Sequence, residues 1–164
     1  MDVPFNGDPA AVRLMPGAAD AVALVRAAGI PVAVVSNQSG IARGILESRE
    51  VDSVNARVDE LLGPLDAWFV CPHGERDGCA CRKPEPGLVL QAAAAFGVDP
   101  ADVVVIGDIG ADTDAARAAG ARGILVPTPV TRVVEIAEAG DVAGTLLDAV
   151  RLALAGRTVA EAVR

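Results

Sequence analysis

Residues 102–120 read DVVVIGDIGADTDAARAAG, and this stretch decides the fold class. Asp102 is followed by an apolar run, Val103 to Ile106, of the kind that forms a parallel strand covered on both faces. Gly107, Asp108, Gly110 and Asp112 then make a polar turn, and the alanine-rich segment 115–119 predicts a helix stopped at Gly120. Helix and strand patterns alternate outward from this unit. Residues 17–29 carry Ala18, Val22, Leu24, Val25 and Ala28 at helical spacing and close on Gly29. Residues 30–35, IPVAVV, read as a second buried strand that runs into Ser36, Asn37, Gln38, Ser39 and Gly40. A helix over 47–62 buries Val51, Val54, Val58, Leu61 and Leu62 and leaves Glu50, Asp59 and Glu60 outside. A strand over 67–71 follows, then a helix over 88–96, entered after Pro84 and Pro86 and stopped at Gly97.

Downstream, residues 123–126 read as a strand. Helices are expected over 131–139 and 146–155, with a short edge strand between them near Val142; no chemistry is assigned beyond Pro127. Residues 1–16 hold Pro4, Gly7, Pro9 and Pro16 without periodicity and read as a loop. Alternating strands and helices, with continuous apolar strands, predict an α/β protein. It is a doubly wound, Rossmann-like parallel sheet in a single domain over 1–164.

Composition narrows the function classes. The 164 residues are 52 % hydrophobic but only 2 % aromatic, so the core must be built from Ala, Val, Leu and Ile. A net charge of −8 argues against nucleic acid as a partner, because phosphate-backbone affinity needs clustered Lys and Arg. No apolar run approaches the roughly 20 residues of a membrane span, and the first residues lack a signal-peptide pattern. The expectation is a cytoplasmic chain that touches neither membrane nor nucleic acid.

The soft metal ligands are concentrated in CPHGERDGCACRKP, residues 71–84. Cys71, Cys79 and Cys81 are the only cysteines, His73 the only histidine and Lys83 the only lysine. Three thiolates and one imidazole match a closed tetrahedral zinc site, with no open position for catalysis. Buried small hydrophobes or a disulfide are the alternatives. The flanking Gly78, Ala80 and Arg82 do not resemble a core strand, and an odd thiol count fits a disulfide framework poorly. Structural zinc over 71–83 is therefore expected, fixing where Arg82 and Lys83 point.

In open parallel sheets ligands gather beyond the carboxyl ends of the strands. Ser36 and Asn37 follow one predicted strand, Asp108 another, and Arg82 with Lys83 follow the cysteine loop that leaves a third. A hydroxyl, an ammonium and a carboxylate meeting there would suit a phosphate and a hard divalent cation. Lys83 and Ser36 would stabilise phosphoryl oxygens, and Asp108 would hold Mg²⁺. Asp112 would orient Asp108, reach the cation through water, or simply cap the next helix.

The segments VVSNQSGIARG (34–44), CPHGERDGCACRKPEPG (71–87) and VVIGDIGADTDAARAAG (104–120) resemble the haloacid dehalogenase superfamily, and within it the zinc-loop phosphatases. The resemblance covers nearly the whole chain. It implies a Mg²⁺-dependent phosphomonoesterase working through an aspartyl-phosphate. Ser36 and Lys83 would be phosphoryl-stabilising; Ser36, Asn37, Gln38, Ser39, Arg82 and Lys83 would contact substrate; Asp108 and Asp112 would serve Mg²⁺. The implied substrate is a small phosphorylated metabolite, foremost a heptose bisphosphate, with histidinol phosphate as the alternative. A non-catalytic, zinc-stabilised binding relative is the rival from another class. A monomer is expected by the same analogy. Ile109 departs from the lysine usual in the heptose enzymes, which bears on sugar specificity.

The superfamily's first motif, Asp-x-Asp-Gly-Thr, which supplies the nucleophile at the end of a central strand, does not occur in this sequence. Asp2 and Asp8 lie outside any such motif. The resemblance would place the missing strand between those carrying Ser36 and Asp108, so these two are expected to lack a shared partner. The expectation is negligible turnover for the chain as given, unless its native start lies upstream.

Overall fold

The computed structural model describes residues 5–161. After a 3-10 turn at Pro9–Ala11, the chain forms α1 (Ala18–Ala27), β1 (Ala33–Asn37), the short α2 (Ser39–Ala42) and α3 (Ser48–Leu62). It continues through β2 (Ala67–Cys71), α4 (Gly87–Phe96), β3 (Val104–Gly107), α5 (Gly110–Ala119) and β4 (Arg122–Leu125). The last elements are α6 (Val133–Glu138), β5 (Asp141–Val142) and α7 (Leu146–Glu161). Asp2 falls outside the described residues.

Every strand pairing is parallel. On β3 the side chains alternate between two clusters, as a pleated strand requires. Val105 packs with Val89 of α4 and with Ala115 and Ala116 of α5. Val104 and Ile106 join Ile124, Ala143 and Ala149 of α7. Helices thus cover both faces, which is why these strands carry continuous apolar runs. Alanine at 115 and 116, fully buried, lets the α5 backbone approach the sheet closely.

The strands form two separate sheets, β1-β2 and β3-β4-β5. The break falls between the strand bearing Ser36 and the one leading to Asp108, where the superfamily resemblance places a further strand. Among the described residues β1 and β3 are not hydrogen-bonded to each other. Instead, the Val35 carbonyl of β1 accepts a hydrogen bond from the Lys83 ammonium at 2.9 Å.

Several boundaries differ from the sequence expectation for physical reasons. β1 extends through Ser36 and Asn37 because both stay in register with β2, opposite Val70 and Cys71. α5 begins at Gly110 rather than 115, since the Asp112 carboxylate accepts the N–H groups of Asp108 (3.1 Å) and Ile109 (3.3 Å) at its first turn. Asp59, expected on a solvated face, accepts from the Trp68 indole N–H at 3.2 Å and from the Leu65 backbone at 3.1 Å. The edge strand near Val142 is present as β5, paired with β4. No helix among the described residues is long and apolar enough to cross a membrane.

Arg26 at the end of α1 donates to the carbonyls of Leu62, Gly63 and Pro64 at 2.6, 2.9 and 2.6 Å, capping the C-terminus of α3. Gly87 opens α4 and donates its N–H to the Ala80 carbonyl at 2.9 Å. A Cβ at this position would stand 2.3 Å from that carbonyl oxygen. Gly87→Ala must therefore push α4 off the cysteine loop, and a loss of about 1–3 kcal/mol is expected, as for other overpacked sites. Urea unfolding of the two proteins checks this; equal midpoints would contradict it.

Candidate functional site

Parallel pairing of β1 with β2 sets Asn37 level with Cys71, so the end of β1 and the start of the cysteine loop lie side by side. The Gln38 N–H donates to the Cys71 carbonyl at 2.7 Å and the Ala42 N–H to the Pro72 carbonyl at 3.2 Å. These bonds dock the 38–42 turn on the loop. Asn37 then clamps the loop's far end. Its Nδ2 donates to the Lys83 carbonyl and its Oδ1 accepts the Lys83 N–H, both at 3.0 Å. Read from sequence as a substrate contact, Asn37 uses its carboxamide on Lys83's backbone.

Cys71, His73, Cys79 and Cys81 place their donor atoms within 4.8 Å of one another. The Cys71 Sγ lies 3.7 Å from Cys79 Sγ, 3.1 Å from Cys81 Sγ and 3.5 Å from His73 Nδ1. His73 Nδ1 is 3.3 Å from Cys81 Sγ. A tetrahedron of zinc–sulfur bonds of about 2.3 Å has edges of about 3.8 Å, so the four donors fit zinc. All three cysteines are free thiols. Burial, with the neighbouring Cys71 and Cys79, pushes the Cys81 thiol up to about 12. For Cys79 desolvation is the largest single influence and raises the value. Hydrogen bonds from the Arg82 backbone and from the neighbouring cysteines outweigh it and leave Cys79 lowered.

Lys83 reaches inward from this loop. Its Nζ donates to the Val35 carbonyl at 2.9 Å and to Asp112 Oδ1 at 2.5 Å. Its side chain is 12 % exposed and that of Asp112 6 %. The other Asp112 oxygen takes the Asp108 and Ile109 N–H groups, so one carboxylate joins the ammonium to the turn after β3. Gly107 is required beneath it, because a Cβ there would stand 2.2 Å from Asp112 Cβ. Burial raises the Asp108 carboxyl above its ordinary range. The Asp112 charge adds to this, while its own backbone, Lys83 and Thr128 oppose it. Ser36 Oγ accepts from Gln38 Nε2 at 3.0 Å. Arg82 pairs with Glu75 at 3.7 Å, and Ile109 next to Asp108 is 37 % exposed.

Three residues that the sequence did not single out also converge here. Thr131 Oγ1 donates to the Asp108 carbonyl at 2.5 Å, and Thr128 Oγ1 to Asp108 Oδ2 at 3.5 Å. Glu135 Oε1 accepts the Gly110 N–H at 3.2 Å. The available signal was their place just past β4, at the sheet edge where ligands gather. Hydrogen bonds from the Arg132 side chain and backbone hold the Glu135 carboxyl down at about 2.

Comparison with known proteins agrees with this architecture. Residues 80–151 match the model of the HAD-hydrolase-like family. A D-glycero-beta-D-manno-heptose-1,7-bisphosphate 7-phosphatase of Pseudomonas aeruginosa is 41 % identical over 118 residues, which span 70 % of this chain and 66 % of that protein. Its counterpart in Pseudomonas putida is 40 % identical, over 70 % of this chain and 67 % of that one. The chain thus spans about two thirds of the length of these relatives. The crystal structure of D,D-heptose 1,7-bisphosphate phosphatase from B. bronchiseptica, complexed with magnesium and phosphate, superposes with a TM-score of 0.84 at 32 % identity. That superposition covers 94 % of this chain and 91 % of the other. A family match with relatives this similar places the chain in the HAD-like hydrolases.

Two predictions come from these geometries. With the Cys81 thiol held near 12, its proton must leave when metal binds. Zinc added to chelated protein at pH 7.5 should release protons and bind more tightly as pH rises. Calorimetry in buffers of different ionisation enthalpy reads this, and an enthalpy independent of buffer would contradict it. For Glu135 the folded value is depressed from 4.5 to about 2, so its stabilisation is present above about pH 4.5 and lost as pH falls towards 2. Glu135→Gln should narrow its stability gap to wild type across that window; a constant gap would refute the assignment.

Proposed function

We propose that this chain forms the phosphate- and cation-binding part of a Mg²⁺-dependent phosphatase for a small phosphorylated sugar, shaped by a structural zinc. The observation that carries the reading is Lys83. An ammonium has three hydrogens, and two are committed to Val35 and Asp112. Among the described residues the third has no partner, and it can serve an anionic ligand at the carboxyl edge of β1 and β3. Ser36 supports it, since its oxygen accepts from Gln38 and its own hydroxyl hydrogen can go to a phosphoryl oxygen. Gln38 and Ser39 border the same turn, and Arg82 stands at the rim as a second cation. Asn37 acts by clamping Lys83's backbone.

Asp108 offers a hard oxygen donor at the sheet edge, the chemistry Mg²⁺ prefers. Bound there, Mg²⁺ would neutralise charge on the phosphoryl oxygens. Asp112 is read as the group that orients Asp108 and Lys83, because both of its oxygens are engaged by protein donors. These residues bind and orient; none of them is proposed as the nucleophile.

The relatives' names point to a heptose 1,7-bisphosphate as the sugar. The exposed Ile109 places an apolar side chain beside Asp108, which favours a substrate whose second anionic group is held elsewhere. Calorimetric titration with inorganic phosphate, and then with heptose 1,7-bisphosphate, in the presence of Mg²⁺ tests the reading. A hydrogen bond to a charged group contributes about 1.5–3 kcal/mol, so Lys83→Ala should bind phosphate roughly 10- to 100-fold more weakly. Because that change also strands Asp112, Ser36→Ala serves as the milder variant, with a loss of about tenfold expected. Wild-type affinity in both variants would overturn the reading.

A further inference from the structure

We propose that Thr131, with Thr128, is a positioning residue for the cation site. The turn after β4 forms a clasp that fixes the rotation of Asp108. The inference deepens the phosphatase reading and rests on it. Because Gly107 and Leu125 are level in the β3–β4 pairing, the turns that follow the two strands leave the sheet at the same height. The second turn, Thr128 to Thr131, meets the first through its hydroxyls.

The Thr131 hydroxyl is committed at both ends. It gives its hydrogen to the Asp108 carbonyl at 2.5 Å and receives the Thr128 N–H at 2.8 Å. That second bond closes the 128–131 turn on itself, together with the Thr131 N–H to the Thr128 carbonyl at 3.0 Å. The closed turn then presents the Thr128 hydroxyl to Asp108 Oδ2 at 3.5 Å.

Three parts of residue 108 are thus held from three directions. Its N–H goes to Asp112, its carbonyl is bound by Thr131, and one carboxylate oxygen is approached by Thr128. Two residues on, the Gly110 N–H is taken by Glu135, which Arg132 anchors at 2.9 Å. A plain loop contact would need one such bond. Binding the backbone carbonyl and the carboxylate of one residue through a single closed turn restrains how its side chain can rotate. A ligating carboxylate gains affinity from restraint of this kind, because less freedom is lost when the cation binds.

The test uses zinc-loaded protein and Mn²⁺ as the probe, with free Mn²⁺ followed by electron paramagnetic resonance. Thr131→Val keeps the shape and removes the hydroxyl. It is expected to weaken Mn²⁺ binding about tenfold, in the range seen when groups that orient metal ligands are removed. Thr131→Ser should return it to within about threefold of wild type. Affinity for inorganic phosphate without divalent cation, which depends on Lys83 and Ser36, should stay within about twofold in both variants. Wild-type Mn²⁺ affinity in folded Thr131→Val, with Asp108→Asn abolishing binding, would overturn the clasp while leaving the cation site intact. Undiminished binding in Asp108→Asn would refute the cation-site reading itself, and the clasp with it.

Discussion

The ion pair between Lys83 and Asp112 joins the two parts of the sheet. Lys83 belongs to the loop that leaves β2 and also bonds to β1, whereas Asp112 sits on α5, which packs on β3 and β4. Removing two charges from water costs several kcal/mol per ion, and only complete hydrogen bonding offsets it. That condition is met. Asp112 receives the ammonium and two backbone N–H groups, and among the described residues no buried side-chain polar atom lacks a partner. A pair so placed adds little net stability compared with apolar packing, but it fixes geometry. The cation that would meet phosphate and the turn bearing Asp108 are held by one carboxylate.

That arrangement depends on the loop staying where it is, although the loop has almost no apolar side chains of its own. Two devices replace a core. Four soft donors converge within 4.8 Å, and structural zinc in small peptides supplies about 10–16 kcal/mol of folding free energy. The Asn37 carboxamide, bonded to the Lys83 backbone, and the Gly87 N–H, bonded to the Ala80 carbonyl, then tie the loop's exit to β1 and α4. Lys83 lies only two residues past the last thiol, so little slack separates the four soft donors from the Lys83 ammonium. The four-donor cluster and the strand edge that Lys83 reaches are therefore mechanically one unit.

Much of the architecture was legible because apolar runs and helical periods report burial directly. The strand at 67–71 falls where its apolar residues end, and the helix over 47–62 is offset by a single residue. Legibility failed where polar residues are recruited by distant partners. Ser36 and Asn37 look like a turn but belong to β1, because the β2 register holds them. Asp59 looks like a surface charge but braces Trp68. Gly110 and Asp112 look like loop, yet α5 starts there because a side chain satisfies the preceding N–H groups.

The amino-acid sequence by itself determined the α/β class, the parallel strands and the four zinc-fitting donors. These are local properties: the donors lie within residues 71–81, and each strand's burial is written in its own side chains. The tertiary structure alone decided that one Asp112 carboxylate serves Lys83 as well as the turn after β3, and that Thr128, Thr131 and Glu135 meet Asp108 and Gly110 in that turn. Those contacts join residues 20 to 29 positions apart. Hydroxyls and carboxylates can satisfy themselves in many ways, so their partners are settled only when packing brings particular strand ends level.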